Sequence, residues 1–321
     1  MNCSISLIGE HQHMEDTMDK FTKSFEADTS KILNIVINSL YSDRDIFLRE
    51  LLSNASDAIQ KRRFQGQTTP DILNSEDDQI EIILNAKKKY VEIRDTGIGL
   101  NDDELSETLG TIAKSGTAGF LQEIENNKDA KSAAQSLIGK FGVGFYSAFM
   151  VADTVEVTTR KAGTDLTYTW ASDGQTGYDI GQSDIVHPVG TCVKLFLKKD
   201  AKEYCEGSRI RGLVKKYSDH IQIPIKISEK EGEVEQVNSA QALWTKSPSE
   251  ISNEEYKEFY NSNFGVFDDP FITIHNKSEG TVEFTNLLFI PTNAPFDLHE
   301  PERKSKINLY INRVFITNEI G

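Results

Sequence analysis

The chain has 321 residues, a hydrophobic fraction of 38% and a formal net charge of -15. This length suffices for about two domains, and the acidic charge argues against nucleic acid or a membrane surface as a partner. The 3 cysteines form no CxxC pair and no Cys/His cluster, which excludes a disulfide scaffold and a structural zinc site. No apolar run approaches the roughly 18 residues that a membrane span requires. We therefore expect a cytoplasmic protein, with residues 1–17 as a disordered leader.

The first third of the chain predicts helices and then a pair of strands. Residues 29–40 carry apolar side chains at helical spacing, and a second helix is predicted from Ser42 through Arg62. Apolar and polar residues alternate over 79–95, which predicts two strands joined by a lysine-rich turn. Residues 100–138 are polar and mixed, which indicates helices separated by mobile loops.

A run of strands is predicted over 150–198, and a helix follows from Arg209. The charged stretch 229–241 shows no clear period and is predicted to be a linker. It separates an N-terminal domain, 18–228, from a second domain, 242–321, with several strand-like segments. The chain stops directly after one of these segments, and we expect a truncated chain rather than a natural end.

The helix predicted from Ser42 presents a polar stripe. Glu50, Asn54 and Asp57 lie at positions i, i+4 and i+7, so they share one face. Such a stripe is usually the solvated side of an amphipathic helix. A carboxylate on it could also orient a water molecule, and an amide oxygen could bind Mg²⁺, which prefers oxygen ligands.

The stretch IRDTGIGL places Asp95 at the end of a predicted strand, with Gly97 and Gly99 directly after it. One interpretation is an ordinary Asp-Thr-Gly turn. The other is a binding pocket in which the carboxylate accepts a hydrogen bond from an exocyclic amine such as that of adenine. The glycines would then let the ring approach the backbone closely.

The stretch GKFGVGFYS, residues 139–147, combines glycines with phenylalanines. Gly139, Gly142 and Gly144 allow backbone N–H groups to point inward together, and a helix that begins here would complete an anion site. Phe141 and Phe145 would anchor the loop in the core. A buried glycine-rich packing motif is the alternative. The chain contains neither a Walker A motif nor a GxGxxG motif after a strand.

The order of these motifs, followed by GTCVKLFLK with Thr191, resembles that of the GHKL ATPases, which include gyrase, the MutL proteins, histidine kinases and the heat-shock-protein-90 chaperones. Within this superfamily the chain is most similar to the heat-shock-protein-90 family, over about residues 20–320. The similarity rests on LYSDRDIFLRELLSNASDA, DTGIGL, LGTIAKSGT, GKFGVGFYSAFMVAD, LWTKSP, EEYKEFY, LLFIPTNAPFDL and LYINRVFI. The bacterial type fits best, with the mitochondrial type as the alternative.

The resemblance implies roles for individual residues. Glu50 would be the general base that orients the attacking water, and Asn54 would bind Mg²⁺ through its side-chain oxygen. Asp95 would recognise the adenine amine, with Thr191 supporting it through water. Residues 109–141 would form a lid over ATP, and residues 20–28 would exchange with a partner subunit. The other implied ATP-binding residues are Asp57, Gly97, Gly99, Leu100, Lys114, Gly139, Phe141, Gly142, Val143, Gly144 and Phe145.

Three positions depart from the family pattern. Lys140 stands where the family usually has Gln, Thr108 where Asn is frequent, and Leu100 where Met is common. None of these changes touches Glu50 or Asp95. They bear on the rate of hydrolysis and on the behaviour of the lid.

The implied fold is a two-layer α/β sandwich, in which helices cover one face of a mixed, mostly antiparallel sheet (the GHKL or Bergerat ATPase fold). An incomplete α/β middle domain follows. The implied function is that of an ATP-dependent molecular chaperone, in which ATP binding closes a dimer clamp and hydrolysis reopens it. Client proteins would bind partly near Trp244 and FIPTNAPF, although core packing is the favoured interpretation of those aromatic residues.

In the family, an arginine that contacts the γ-phosphate and a dimerising domain come from later segments. For this chain we therefore expect ATP binding, very slow hydrolysis and a monomer or weak dimer, with a homodimer as the state of the full-length protein. A MutL-like or gyrase-like ATPase is disfavoured by the acidic charge. A histidine kinase is disfavoured because no phospho-acceptor helix precedes the motifs. A nucleotide-gated scaffold without useful catalysis stays open.

Overall fold

The computed structural model describes most of the chain, with gaps. The described residues are 43–73, 77–111, 144–175, 177–230, 233–280, 283–295, 298–300 and 307–318. The predictions for the leader, for the helix at 29–40, for the exchanging segment 20–28 and for lid residues 112–141 lie outside them.

Along the described residues, each α-helix is followed by two or four strands. The helices are α1 (Ile46–Gly66), α2 (Asp102–Leu109), α3 (Gly207–Tyr217) and α4 (Asn253–Phe264). The strands are β1 (Ile80–Asn85), β2 (Tyr90–Asp95), β3 (Ala152–Arg160), β4 (Thr167–Ser172), β5 (Asp179–Ser183), β6 (Gly190–Leu197), β7 (Ile225–Lys230), β8 (Glu233–Gln236), β9 (Pro270–Ser278), β10 (Phe284–Pro291), β11 (Leu309–Ile311) and β12 (Val314–Thr317). Among the described helices, none is both long and apolar enough to cross a membrane.

Eight strands form one sheet in the order β5-β4-β3-β6-β2-β1-β7-β8. Its neighbouring strands are antiparallel, except that β1 and β7 are parallel. The alternation that predicts strands over 79–95 produces β1 and β2, which pair from Ile80 with Asp95 to Asn85 with Tyr90. The predicted mixed, mostly antiparallel sheet is therefore confirmed.

The two faces of this sheet differ in chemistry. Val91 and Ile93 of β2 lie in the core, together with the buried side chains of α1 and α3. Alternate residues of a strand point to opposite faces, so Glu92 and Arg94 lie on the other face, where Glu92 forms ion pairs with Arg94 and with Lys194 of β6. Helices α1 and α3 cover the apolar face, as the resemblance implies.

Helix α1 is fixed at its start by a buried carboxylate. Asp45, directly before the helix, accepts hydrogen bonds from the Tyr204 hydroxyl at 2.9 Å and from Arg209 Nη2 at 2.5 Å. The Phe47 ring packs edge-on against Tyr204, with 4.9 Å between the ring centroids. Ser42, at which the sequence predicts that this helix starts, lies outside the described residues. The start of α1 is therefore held by contacts with the segment that leads into α3.

The predicted linker at 229–241 contains regular structure. Strand β8 lies within it and pairs with β7 at the edge of the large sheet. Asn238 is buried, and its side chain donates to the carbonyl groups of Ile221 and Ile223 and accepts from Ile225 N at 2.8 Å. Residues 233–236 of the predicted linker therefore form an edge strand of the large sheet. The division into domains at this point stays a prediction.

The segment after the linker packs in part against the core of the sheet. Val314 and Phe315 of β12 belong to the main core cluster, and Phe315 lies 5.9 Å from the Tyr217 ring of α3. The sequence INLYINRVFI reads as one strand-like segment. It is interrupted by a turn at Asn312 and Arg313, whose φ angles are 48° and 71°. Strands β11 and β12 therefore form a hairpin.

Candidate functional site

The end of β2 places Asp95 beside two backbone amides. Asp95 pairs in register with Thr191 of β6. Its Oδ1 atom accepts hydrogen bonds from Gly97 N at 2.8 Å and from Thr191 N at 3.3 Å. Within the described part of the chain, no donor contacts the other carboxylate oxygen, Oδ2. Among the described residues, the carboxylate is thus held through Oδ1 alone.

The environment of this carboxyl group changes its acidity. Burial raises the pKa of Asp95 from its ordinary value of 3.8 to about 7, against the opposing effects of the Gly97 and Thr191 hydrogen bonds and the positive charge of Arg62. The residue keeps partial exposure to solvent. Asp95 therefore ionises close to neutral pH, which is common for groups at functional sites.

The two glycines after Asp95 are required by close contacts with the protein itself. A Cβ atom on Gly97 would lie 2.6 Å from Ala58 Cβ of α1. Gly99 has a φ angle of +68°, and a Cβ atom there would lie 2.0 Å from the carbonyl oxygen of Arg160. The loop from Asp95 to Leu100 is therefore wedged between α1 and the end of β3. The expected close approach of an adenine ring to these glycines stays a prediction.

A buried threonine, Thr159 of β3, connects the parts of the site. Its Oγ1 atom accepts from Leu100 N at 3.0 Å, donates to Gly190 O at 3.1 Å and lies 3.1 Å from Thr191 Oγ1. Leu100 itself packs partly buried against the core. Thr159 carries no local signal in the sequence, because only the pairing of β3 with β6 brings it opposite Thr191.

Glu50 lies beside the start of the described part of the glycine-rich stretch. Its Oε1 atom accepts from Arg49 Nη2 at 2.6 Å and from Arg49 Nε at 3.0 Å. A Cβ atom on Gly144 would lie 2.3 Å from Glu50 Oε2. Any side chain at residue 144 would therefore displace the carboxylate. The lack of a side chain at Gly144 leaves room for Glu50.

The segment that begins at Gly144 forms a 3-10 helix over Gly144–Met150. Phe145 is buried and packs edge-on against Trp170, with 5.5 Å between the ring centroids. The Tyr146 hydroxyl donates to the carbonyl of Leu109 at the end of α2. These contacts fix the residues directly after the glycines in the core.

Asn54 and Asp57 lie on α1 after Glu50, but their surroundings differ. Asn54 is exposed, one turn beyond Glu50, whereas Asp57 is buried at 4% exposure. Lys114, Gly139, Phe141, Gly142 and Val143 lie outside the described residues, and so does Lys140. The structure therefore brings Asp95, Gly97 and Thr191 together, places Gly144 against Glu50 and leaves the remaining phosphate-loop residues as predictions.

A large cavity of the described residues lies away from this site. It measures about 1580 Å³ and is lined by Gln60 of α1 and by aromatic residues of the later segment, among them Trp244, Phe259 and Tyr310. The Trp244 ring packs 4.6 Å from His220 and 4.7 Å from Tyr310. This aromatic cluster agrees with the interpretation of Trp244 as a packing residue.

Two family models match the chain. The model described as "Histidine kinase-, DNA gyrase B-, and HSP90-like ATPase" matches residues 41–179, which include Glu50, Asn54 and Asp95. The model described as "Hsp90 protein" matches residues 226–321. The description of the first model covers gyrase, histidine kinases and the heat-shock-protein-90 family, whereas the description of the second names the heat-shock-protein-90 family alone.

Individual relatives agree with these models. The chain is 48% identical over 304 residues to a protein from Rickettsia massiliae named "Chaperone protein HtpG", an alignment that covers 94% of this chain and 48% of the relative. Proteins of the same name from Rickettsia rickettsii and Roseobacter denitrificans are 49% and 48% identical, over 92% and 95% of this chain and 48% of each relative. The chain therefore spans about half the length of the curated relatives that it matches, and it belongs to the heat-shock-protein-90 family.

Proposed function

We propose that this chain binds ATP between α1 and the sheet, and that the full-length protein is an ATP-dependent molecular chaperone. The proposal rests on the hydrogen bonds of the Asp95 carboxylate, because only one of its two oxygens has donors among the described residues. Its Oδ1 is fixed by two backbone amides, while Oδ2 receives no donor from the described residues. An exocyclic amine such as that of adenine is the donor that this oxygen would accept.

The charge state of Asp95 agrees with this role. A hydrogen bond from an amine requires an acceptor, and the ionised carboxylate accepts at both oxygens whereas the protonated form donates from one. Thr191 supports the same carboxylate through its backbone N–H and contacts Thr159 through its hydroxyl. The adenine end of the site would thus be built from β2, β6 and β3.

The hydrolytic end of the site would be built from α1. Glu50 is the proposed general base, because its Oε2 atom lies at the start of the 3-10 helix, where the glycine-rich loop ends. That loop, Gly139 to Phe145, would cradle the phosphates, with Lys114 and the lid over them. The family-model description and the names of the relatives, which include the words ATPase and chaperone, support this assignment.

Magnesium fits the donor chemistry of the same helix. Asn54 presents an amide oxygen at an exposed position one turn from Glu50, and Mg²⁺ is bound by a few protein oxygens together with substrate phosphates. The described residues contain no cluster of acidic, histidine or cysteine side chains that could hold a metal alone. Asn54 would therefore hold the ion jointly with ATP, and the ion would neutralise phosphate charge.

The finer parts of the proposal concern the whole protein. Client proteins, homodimer formation and a clamp that closes on ATP binding would belong to the full-length protein, in the cytoplasm. For this chain alone we propose ATP binding with very slow hydrolysis and a monomeric or weakly dimeric state. Analytical ultracentrifugation of this chain and of the full-length protein tests the proposed oligomeric states directly.

The test of ATP binding is a calorimetric titration of Mg-ATP into the wild-type chain, Asp95→Asn and Asp153→Asn. Asp153 is an exposed carboxylate at the start of β3, so this variant controls for the loss of one negative charge. We expect equal binding by the wild type and Asp153→Asn, and no detectable binding by Asp95→Asn. Equal binding by all three proteins would remove Asp95 as the adenine acceptor.

Hydrolysis is tested in the full-length protein with Glu50→Ala. If Glu50 is the general base, this variant binds Mg-ATP with unchanged affinity and loses at least about a hundredfold in the rate of ADP formation. An unchanged rate would leave a nucleotide-gated scaffold, or a different base, as the better description.

A further inference from the structure

Helix α1 buries an arginine next to the proposed adenine site. Arg62 is only 5% exposed, although arginine is rarely buried unless it is paired. Its Nε atom donates to the carbonyl of Ile72 at 2.6 Å, and its Nη1 atom donates to the carbonyl of Thr96 at 2.9 Å. Among the described residues, no carboxylate lies within ion-pair distance of the Arg62 guanidinium. Its charge is thus held by backbone oxygens.

The Thr96 carbonyl belongs to the peptide group that serves Asp95. The Thr96–Gly97 peptide accepts from Arg62 through its oxygen and donates to Asp95 Oδ1 through its N–H. A charged donor strengthens a hydrogen bond, and hydrogen bonds in a chain polarise one another. Arg62 therefore fixes the orientation of this peptide and makes its N–H a better donor to the carboxylate.

The charge of Arg62 acts on the same carboxylate through space. Burial favours the neutral form of Asp95, whereas the positive charge of Arg62 favours the ionised form and lowers its pKa. Asp78 also acts on Arg62, but it has a partner of its own in Arg63, with which it forms an ion pair. The positive charge that acts on the Asp95 carboxyl group is that of Arg62.

We propose that Arg62 is a positioning residue of the nucleotide site, which orients the Thr96–Gly97 peptide and keeps Asp95 in the form that accepts the adenine amine. The consequence for nucleotide binding rests on the proposed ATP-binding function. The effect of Arg62 on the ionisation of Asp95 does not depend on that function. A merely structural role, in which Arg62 only joins α1 to the segment at Ile72, would leave the ionisation of Asp95 unchanged.

The decisive experiment measures the ionisation of Asp95 without nucleotide. The chain is labelled with ¹³C-aspartate, its side-chain carboxyl signals are followed by NMR between pH 4 and 9, and Asp95→Asn assigns the signal. The variants are Arg62→Gln and Arg62→Leu, which remove the charge, and Arg62→Lys, which keeps it. Arg63→Gln is the matched control, because Arg63 is the next residue of α1 and pairs with Asp78.

We expect the midpoint of Asp95 to rise by about 0.5 to 1 pH unit in Arg62→Gln and Arg62→Leu. Arg62→Lys and Arg63→Gln should keep the midpoint within about 0.3 unit of the wild type. Two neutral variants are used so that a failure of one to fold still leaves a measurement. An unchanged or lowered midpoint in a folded neutral variant overturns the proposal.

The second arm measures Mg-ATP affinity against pH. A rise of the midpoint to between about 7.5 and 8 weakens binding about two- to fivefold at pH 7, and the loss disappears above about pH 9, where Asp95 is ionised in both proteins. A structural defect would weaken binding equally at every pH, and that result also overturns the proposal. If the wild type binds no ATP, the proposed function fails, while the NMR midpoints still decide the role of Arg62.

Discussion

Asp95 is expected to destabilise the folded chain above mildly acidic pH, so that Asp95→Asn gains stability while it loses nucleotide binding. The asparagine side chain keeps an Oδ1 atom that can accept from Gly97 N and Thr191 N, as the carboxylate does. It carries no charge, so it avoids the cost of an ionised group that is surrounded by protein. The substitution therefore separates the hydrogen bonds of this position from its charge.

The magnitude follows from the shift in pKa. The folded pKa of Asp95 is about 7, against 3.8 for the ordinary group, and each unit corresponds to about 1.4 kcal/mol. Because the unfolded chain releases this proton first, stability falls as the pH rises from about 4 to 7 and is level beyond that range. The full difference is about 4 kcal/mol, which is an upper bound because partial exposure allows solvent to screen the charge.

The assay is urea unfolding of the wild type, Asp95→Asn and the exposed control Asp153→Asn at pH values between 5 and 8. We expect the stability of Asp95→Asn relative to the wild type to grow by about 1 to 3 kcal/mol between pH 5 and 8. The control should follow the wild type. A constant difference across this range, or one that shrinks as the pH rises, would show that the folded pKa of Asp95 is not raised.

Two glycine positions give further predictions. Gly144→Ala places a methyl group against Glu50 Oε2, so in the full-length protein we expect ATP hydrolysis to fall by at least about tenfold with a smaller change in ATP affinity, and equal losses in both would contradict this reasoning. Gly99→Ala forces a positive φ angle and a clash with Arg160 O, and should lower the free energy of unfolding by about 2 to 4 kcal/mol in the same urea assay. Gly212→Ala is its control, because Gly212 lies within α3 and a Cβ atom there has nothing within 4 Å, so this variant should be neutral or stabilising.

Elements with an alternating pattern of apolar residues are predictable from the sequence, whereas the charged strand β8 is not. Strand β1 buries alternate residues, and β2 places Val91 and Ile93 in the core, so the alternation of apolar residues predicts both strands directly. All four residues of β8 are exposed, because it is the edge strand of the sheet, and its charged sequence therefore resembles a linker. The turn at Asn312 and Arg313 carries no signal in the sequence, because apolar residues continue on both sides of it and the whole segment resembles one strand.

The residues of the candidate site also differ in whether the sequence alone predicts their role. Glu50, Asn54 and Asp57 share a helix, so their spacing alone predicts a common face, and Asp95 is marked by the glycines that follow it. Thr159 and Arg62 carry no such local signal. Thr159 gains its role from strand register, and Arg62 reads as one more basic residue on an amphipathic helix until the fold buries it against the Thr96 carbonyl. Contacts between residues that are distant in sequence are what the spacing of motifs leaves out.

The pairing of Asp95 with Arg62 indicates how this fold tolerates a charged group at the edge of its core. An ionised carboxylate surrounded by protein is costly, and a buried guanidinium is costly as well. A direct ion pair would satisfy both groups but would also occupy the carboxylate oxygen that a ligand needs. Here the Thr96–Gly97 peptide stands between them, accepting from one and donating to the other. The arrangement stabilises the charge of Asp95 through this peptide and leaves Oδ2 without a donor among the described residues. The destabilisation expected from Asp95 and the proposed recognition of adenine therefore have the same structural origin.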